Sequence, residues 1–282
     1  MLGPWRLWLF LLFAATSLAA CGSGTRYIFS TSKELVATPQ ERGLAFEEVW
    51  FRADDGTRLH GWLLPGAPER PLVLFFHGNA ANISHRVDNL QHLHGMGFPV
   101  FIFDYRGFGV SEGWPKSEAD LAADARGALD WLAGRGWSPE GMIYFGRSMG
   151  AAVAVALAVD HPPAGIILEA PFTSLADMAK LMTPVTWALV GWWNIGDRFD
   201  NLRRLPHLHA PLLIFHGDRD AIVPLEMSQR LFAQANPPKS LHVVEGGAHS
   251  NSYLVGGEGY RRAWLDFATT LPLPSKTITT EK

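Results

Sequence analysis

Cysteine is all but missing from this chain. Cys21 is the only one in 282 residues, so no intramolecular disulfide can form and the core has to stand without covalent staples. Charged residues are also sparse, at 18%, with 24 lysines and arginines against 27 aspartates and glutamates for a net charge of −3. With no basic run and no aromatic-basic stripe, no nucleic acid partner is expected. The apolar run after Arg6 falls short of the roughly 20 residues that a spanning helix prefers. Internal repeats and low-complexity linkers are lacking. No histidine-carboxylate cluster shows metal-ligand spacing, and neither a metal nor another cofactor is expected. What remains is a globular composition, 48% hydrophobic, of a length that suits one large α/β domain or two small ones.

The first twenty residues stand apart from the fold. Arg6 and the amino terminus supply positive charge, residues 7–15 are apolar, and Leu18-Ala19-Ala20-Cys21 closes the segment with small residues. That is the layout of a cleaved secretory signal, with an uncleaved signal anchor as the alternative. Residues 21–45 are expected to be an anchored lead-in or linker, 46–272 the folded domain, and 273–282 a flexible tail. Within the domain, 47–52 and 57–64 flank Asp54-Asp55-Gly56 as a hairpin. The run 71–76 is continuously apolar, as a strand buried on both faces should be. A helix is expected over 82–96, then a strand at 99–103. Ser117-Glu118-Ala119-Asp120 resembles a capping box that opens a helix to about Ala133, with Gly134 ending it. Further short strands follow at 142–145, 165–168, 212–215 and 241–244, with helices at 151–159 and 260–270. Strands alternating with helices at this spacing predict a mostly parallel sheet covered on both faces, with function at the loops beyond the strands' C-terminal ends.

One insertion breaks the rhythm. Residues 173–209 carry Met178, Leu181, Met182, Trp187, Leu189, Val190, Trp192 and Trp193. They read as a short helical lid over the active edge, which would imply an apolar acyl or aromatic substrate region; the alternative is a stripe that closes the core on one side.

The sharpest chemical signal is Gly146-Arg147-Ser148-Met149-Gly150, which fits G-x-S-x-G between a buried strand and a buried helix. A serine in that sharp turn sits in a strained backbone, and glycines two residues either side remove Cβ clashes with strand and helix. The turn would lift the Ser148 hydroxyl clear of the sheet, with the helix N-terminus behind it. A hydroxyl needs a base, and the base needs an acid to hold its tautomer. His249, in Gly246-Gly247-Ala248-His249-Ser250, is the one histidine downstream of the last expected strand. His242 lies in that strand, His216 reads as structural, and His77 reads as a loop brace. For the acid, the loop after 212–215 offers Asp218 and Asp220, with Glu169 as fallback; the order serine, acid, histidine suits a nucleophile elbow. Asp218 is expected to pair locally with Arg219 or to cap the turn. Donors for the developing oxyanion are the backbone N–H groups of Met149 and of Asn79, in His77-Gly78-Asn79-Ala80, with Gly78 and Ala80 as neighbouring choices. Asp104-Tyr105-Arg106-Gly107-Phe108-Gly109 reads as a structural turn near the site.

Taken together, the 76–82, 104–113, 146–150, 169–172 and 216–224 motifs resemble the α/β-hydrolase superfamily and, within it, the small abhydrolase-domain serine hydrolases. The similarity runs from about Glu47 to Phe267. It implies the α/β-hydrolase fold, a mostly parallel eight-stranded-type sheet with helices on both faces and a short helical lid. It also implies Asp220 as the acid, since His216 to Pro224 matches H-G-x-x-D-x-x-V-P. The expected activity is hydrolysis of a carboxylic ester or thioester through an acyl-Ser148 intermediate, on a small-molecule or acylated substrate. A serine aminopeptidase of the same superfamily is the second reading, with Glu169 as a speculative holder of the substrate amine. A non-catalytic lipoprotein that binds apolar ligands is the third. Cys21 resembles the lipobox cysteine of bacterial lipoproteins, which implies a palmitate-type acylated N-terminus that tethers the protein to a membrane on the periplasmic side of the cell envelope.

Overall fold

The computed structural model describes residues 29–184 and 198–272. The signal segment with Cys21, the tail, and Trp187, Leu189, Val190, Trp192 and Trp193 of the insertion lie outside the described residues.

Eight strands form one sheet: β1 Glu47–Arg52, β2 Arg58–Leu64, β3 Leu72–Phe76, β4 Val100–Asp104, β5 Met142–Arg147, β6 Gly165–Glu169, β7 Leu212–Gly217 and β8 Lys239–Val244. Their spatial order is β8-β7-β6-β5-β3-β4-β2-β1. Only the β1–β2 and β2–β4 pairings are antiparallel. From β4 to β8 every neighbour runs parallel, so six strands end at one edge.

The central strands are apolar on both faces because both faces are covered. In β3 every residue is buried, and the two faces go to different cores. Leu72, Leu74 and Phe76 join the core that includes α2 (Glu118–Ala133), α3 (Met149–Asp160) and α5 (Leu225–Gln234). Val73 and Phe75 join the core on the other face, with α1 (Val87–Gly95) and α6 (Gly257–Thr269). Each fully buried Leu or Phe contributes about 1.5–3 kcal/mol. On the second face Trp264, without solvent exposure, packs 5.0 Å from Phe145 and 5.6 Å from Phe98, ring centre to ring centre. Helix α2 opens on a capping box, in which Ser117 Oγ accepts the Asp120 N–H and the Asp120 carboxylate accepts the Ser117 N–H.

Two differences from the expected layout have local causes. Strand β8 begins at Lys239, two residues earlier than its apolar part suggests, because Lys239 and Ser240 pair with Leu212 and Leu213 of β7, and the Lys239 ammonium donates to the Phe232 and Ala235 carbonyls at the end of α5. The lead-in is no free linker from Phe29 onward. Phe29 is buried, and Ser30–Thr31 pairs in parallel with Ala80–Ala81. The Ser32 carbonyl accepts the Gly109 N–H and an Asn82 amide hydrogen. Of the insertion, the structure gives α4 (Leu175–Met182), capped by Ser174, with Met178 buried and Leu181 and Met182 exposed.

Candidate functional site

Ser148 stands between the end of β5 and the first residue of α3, with φ 52° and ψ −117°. That is the left-handed half of the map, where a side chain costs about 1–3 kcal/mol unless the surroundings hold it. They do. The Ser148 N–H donates to the Glu169 carbonyl at 2.9 Å. The flanking glycines are sterically obligatory: a Cβ on Gly146 would lie 2.5 Å from Ala151 Cα, and one on Gly150 would lie 2.0 Å from the Phe76 carbonyl oxygen. Met149 opens α3, so its N–H has no acceptor within the helix. The loop after β3 lies alongside: a Cβ on Gly78 would sit 3.6 Å from Ser148 Cβ. Asn79, next in that loop, takes the Ser30 N–H on its side-chain oxygen at 3.2 Å.

Asp220 and His249, on the loops after β7 and β8, come together with His249 Nδ1 2.7 Å from Asp220 Oδ2. The other carboxylate oxygen accepts the Ile222 and Val223 N–H groups at 2.8 and 2.9 Å, and His216 Nε2 lies 3.4 Å from Oδ2. Burial alone would raise the Asp220 pKa. The partners from His216, His249 and the Val223 amide outweigh it and hold the carboxyl well below the usual carboxylate range. An ionised carboxylate only accepts, so His249 carries a proton on Nδ1 in this contact. The His249 side chain retains 14% exposure while that of Asp220 has none.

The two loops meet because neither has a side chain at the crossing. A Cβ on Gly217 would lie 2.2 Å from the Gly247 carbonyl oxygen. The Arg219 N–H donates to that carbonyl, and Asp218 accepts the Gly246 N–H at 2.7 Å. Asp218 therefore ties the acid loop to the histidine loop instead of pairing with Arg219. The other histidines near the site have structural partners. His216 gives its Nε2–H to the Val223 carbonyl and its Nδ1 to Ser228, bracing the acid loop. His242 stacks edge-on to Phe215 in the sheet. His77 is fully buried with Nδ1 on the Gly78 carbonyl, and burial pushes its pKa down to about 3.

Glu169 is committed elsewhere. Its carboxylate lies 2.8 Å from Arg147 Nη2 and accepts the Tyr260 hydroxyl at 2.8 Å, with Arg147 also donating to Asn89. Neither the fallback acid role nor the holding of a substrate amine fits a carboxylate with both oxygens occupied and no exposure. Arg147 and Arg86, both beside the site, are not singled out by the sequence motifs. The available signal was a cation at the end of an otherwise apolar strand, Arg147, which in a buried position demands an acid in register. Arg86 has no comparable signal in the sequence. Among the described residues no group of three or more histidine, cysteine, aspartate or glutamate side chains is arranged to hold a metal ion.

Comparison with known proteins agrees with this layout. The family described as serine aminopeptidase, S33, matches residues 67–204 and 198–252. A Mycobacterium tuberculosis protein is 40% identical over 255 residues, covering 86% of this chain and 89% of its own. The alpha/beta hydrolase domain-containing protein WAV2 of Arabidopsis thaliana is 33% identical over 255 residues, covering 84% and 82%. Among solved structures, a Pyrococcus furiosus esterase superposes with a TM-score of 0.71 at 20% identity, over 86% of this chain and 98% of the esterase, a likeness of fold. The order of eight strands, the strained serine turn and these matches place the chain in the α/β-hydrolase superfamily, as a member of the family described as serine aminopeptidase, S33.

Proposed function

We propose that this protein is a serine hydrolase that cleaves carboxylic ester or thioester bonds through an acyl-Ser148 intermediate. The observation that carries the reading is the 2.7 Å His249–Asp220 contact on the same sheet edge as a serine held at φ 52°. His249 Nε2 takes the Ser148 proton as Oγ bonds to the carbonyl carbon. The carbonyl oxygen becomes an oxyanion that accepts N–H donors from Met149 and Asn79. Collapse breaks the bond to the alcohol or thiol, which leaves with the proton from His249. Water then repeats the sequence: it gives its proton to His249, attacks the acyl carbon and releases the acid, and the proton returns to Ser148 Oγ. Treating the protein and Ser148→Ala with a fluorophosphonate probe tests the reading. Labelling that depends on Ser148 is expected; labelling that survives Ser148→Ala, or none at all, would overturn it.

The family description favours a second reading, a serine aminopeptidase. Amino-acid amides set beside a panel of acyl esters separate the two, and we expect turnover of the esters. We also propose Cys21 as a lipid attachment site. Cys21→Ala is expected to shift the protein from the membrane to the soluble fraction.

A further inference from the structure

Arg86 is the odd cation of this molecule. The other substantially buried arginines have acids: Arg106 has Asp124 and Asp55, Arg147 has Glu169, and Arg204 has Glu118. Arg86 has none within ion-pair distance among the described residues. Its guanidinium donates to the Ala80 carbonyl, and its Nε is buried without a partner. Arg86 is half-buried, with its bond to Ala80 at the surface, so its guanidinium has no acid of its own yet stays open to an anion from outside.

Its place in the fold says where that anion comes from. Ala80 is two residues beyond Gly78, which packs on Ser148, and two residues span at most about 7 Å. On the other side stand Arg147, adjacent to the nucleophile, and Tyr253, on the turn that follows His249; the Arg147 guanidinium lies 5.4 Å over the Tyr253 ring. Arg86 thus borders the oxyanion loop through its bond to Ala80, and the charges of Arg147 and Tyr253 act on it through space. The electrostatics agree: burial first and the charge of Arg147 second push the Arg86 pKa down to about 10. Asp104 and Glu169 offset it only in part, through space and with neither in ion-pair contact. Glu169 is shared with Arg147, and burial pushes Asp104 up to about 8, so that it is largely neutral at pH 7.

We propose that Arg86 determines specificity in this site by holding an anionic oxyacid group, a carboxylate or phosphate, on the acyl or alcohol part of the ester that Ser148 attacks. The proposal rests on the serine-hydrolase reading. Two matched pairs of esters test it: p-nitrophenyl butyrate against mono-p-nitrophenyl glutarate, and monobutyrin against butyryl glycerol phosphate. For the wild type, kcat/KM is expected to favour the anionic member of at least one pair, which also distinguishes carboxylate from phosphate. In Arg86→Gln the anionic-to-neutral ratio should fall about 10–100-fold, the loss of one charge-assisted contact, with Arg86→Lys in between. A wild type with no anionic preference, or an Arg86→Gln variant that lowers both members alike, would overturn the proposal and leave Arg86 as a brace for the Ala80 loop. Should Arg86→Gln not fold, the wild-type ratio and its fall with added salt carry the test. If no ester turns over, protection of Ser148 from a neutral fluorophosphonate by glutarate or glycerol phosphate replaces the ratio, and absence of protection overturns the proposal. Failure of the serine-hydrolase reading is read separately, as absence of Ser148-dependent labelling.

Discussion

Replacing Glu169 by Gln removes one buried charge and nearly nothing else. Gln keeps the volume and can still accept the Tyr260 hydroxyl, and the backbone bond from Ser148 to the Glu169 carbonyl is untouched. What is lost is the partner of Arg147, whose side chain is 4% exposed and whose contact to Glu169 is 2.8 Å. Two unit charges about 4 Å apart at an effective dielectric of 20 attract by about 4 kcal/mol. Removing one member of a buried pair typically costs about 3–5 kcal/mol, because the other is left uncompensated. Spread over a domain of this size, that lowers Tm by roughly 6–20 °C. Thermal and urea unfolding of Glu169→Gln, Arg147→Met and the double variant form the assay. The double variant should recover at least half of the single loss, since it buries no lone charge. A Glu169→Gln protein within about 1 kcal/mol of wild type, or a double variant less stable than the single, would refute the reasoning.

Three further outcomes follow from the geometry. Gly150→Ala should abolish folding or Ser148 labelling, since its Cβ would lie 2.0 Å from a backbone oxygen, whereas Gly43→Ala, with nothing within 4 Å, should cost only the roughly 1–2 kcal/mol of a left-handed backbone in a thermal melt. Asp220→Asn should lower kcat by about 10^4-fold through the wrong His249 tautomer; because the native carboxyl titrates below its unfolded value, it contributes stability above about pH 4 that is lost as pH falls, and acid unfolding of the variant should show less of that loss. Asp104 has the opposite sign: burial raises it to about 8, so the wild type should lose stability as pH rises from about 4 through 8, and Asp104→Asn, which can still accept the Ile83 N–H, should melt with a flatter pH profile.

Much of this protein is local information. The double-sided apolar runs of β3, β4 and β5 announce a covered parallel sheet, because a residue's burial on either face leaves its mark at its own position. The serine turn is equally local: Gly146 and Gly150 are demanded by atoms of the adjoining strand, helix and loop, and the three-residue spacing of Ser117 and Asp120 sets the start of α2. Even the pairing of Asp220 with His249 was legible, through chain order and the resemblance of one loop. What the chain order could not hold is which buried charges meet. Arg147 finds Glu169 only because β5 and β6 run parallel in a register that sets the two residues side by side. Asp218 reaches Gly246 only because Gly217 and Gly247 let two loops touch. The packing of the lead-in on the Ala80 loop, and the lack of an acid beside Arg86 on that loop, likewise have no sequence pattern. Sequence by itself determined the sheet, its covering helices and the strained serine turn, since sterics and hydrophobic periodicity act over a few consecutive residues. Only the tertiary structure decided which acid neutralises which base and which cation has no acid beside it, because Coulomb energy depends on distance and burial in space, not on separation along the chain.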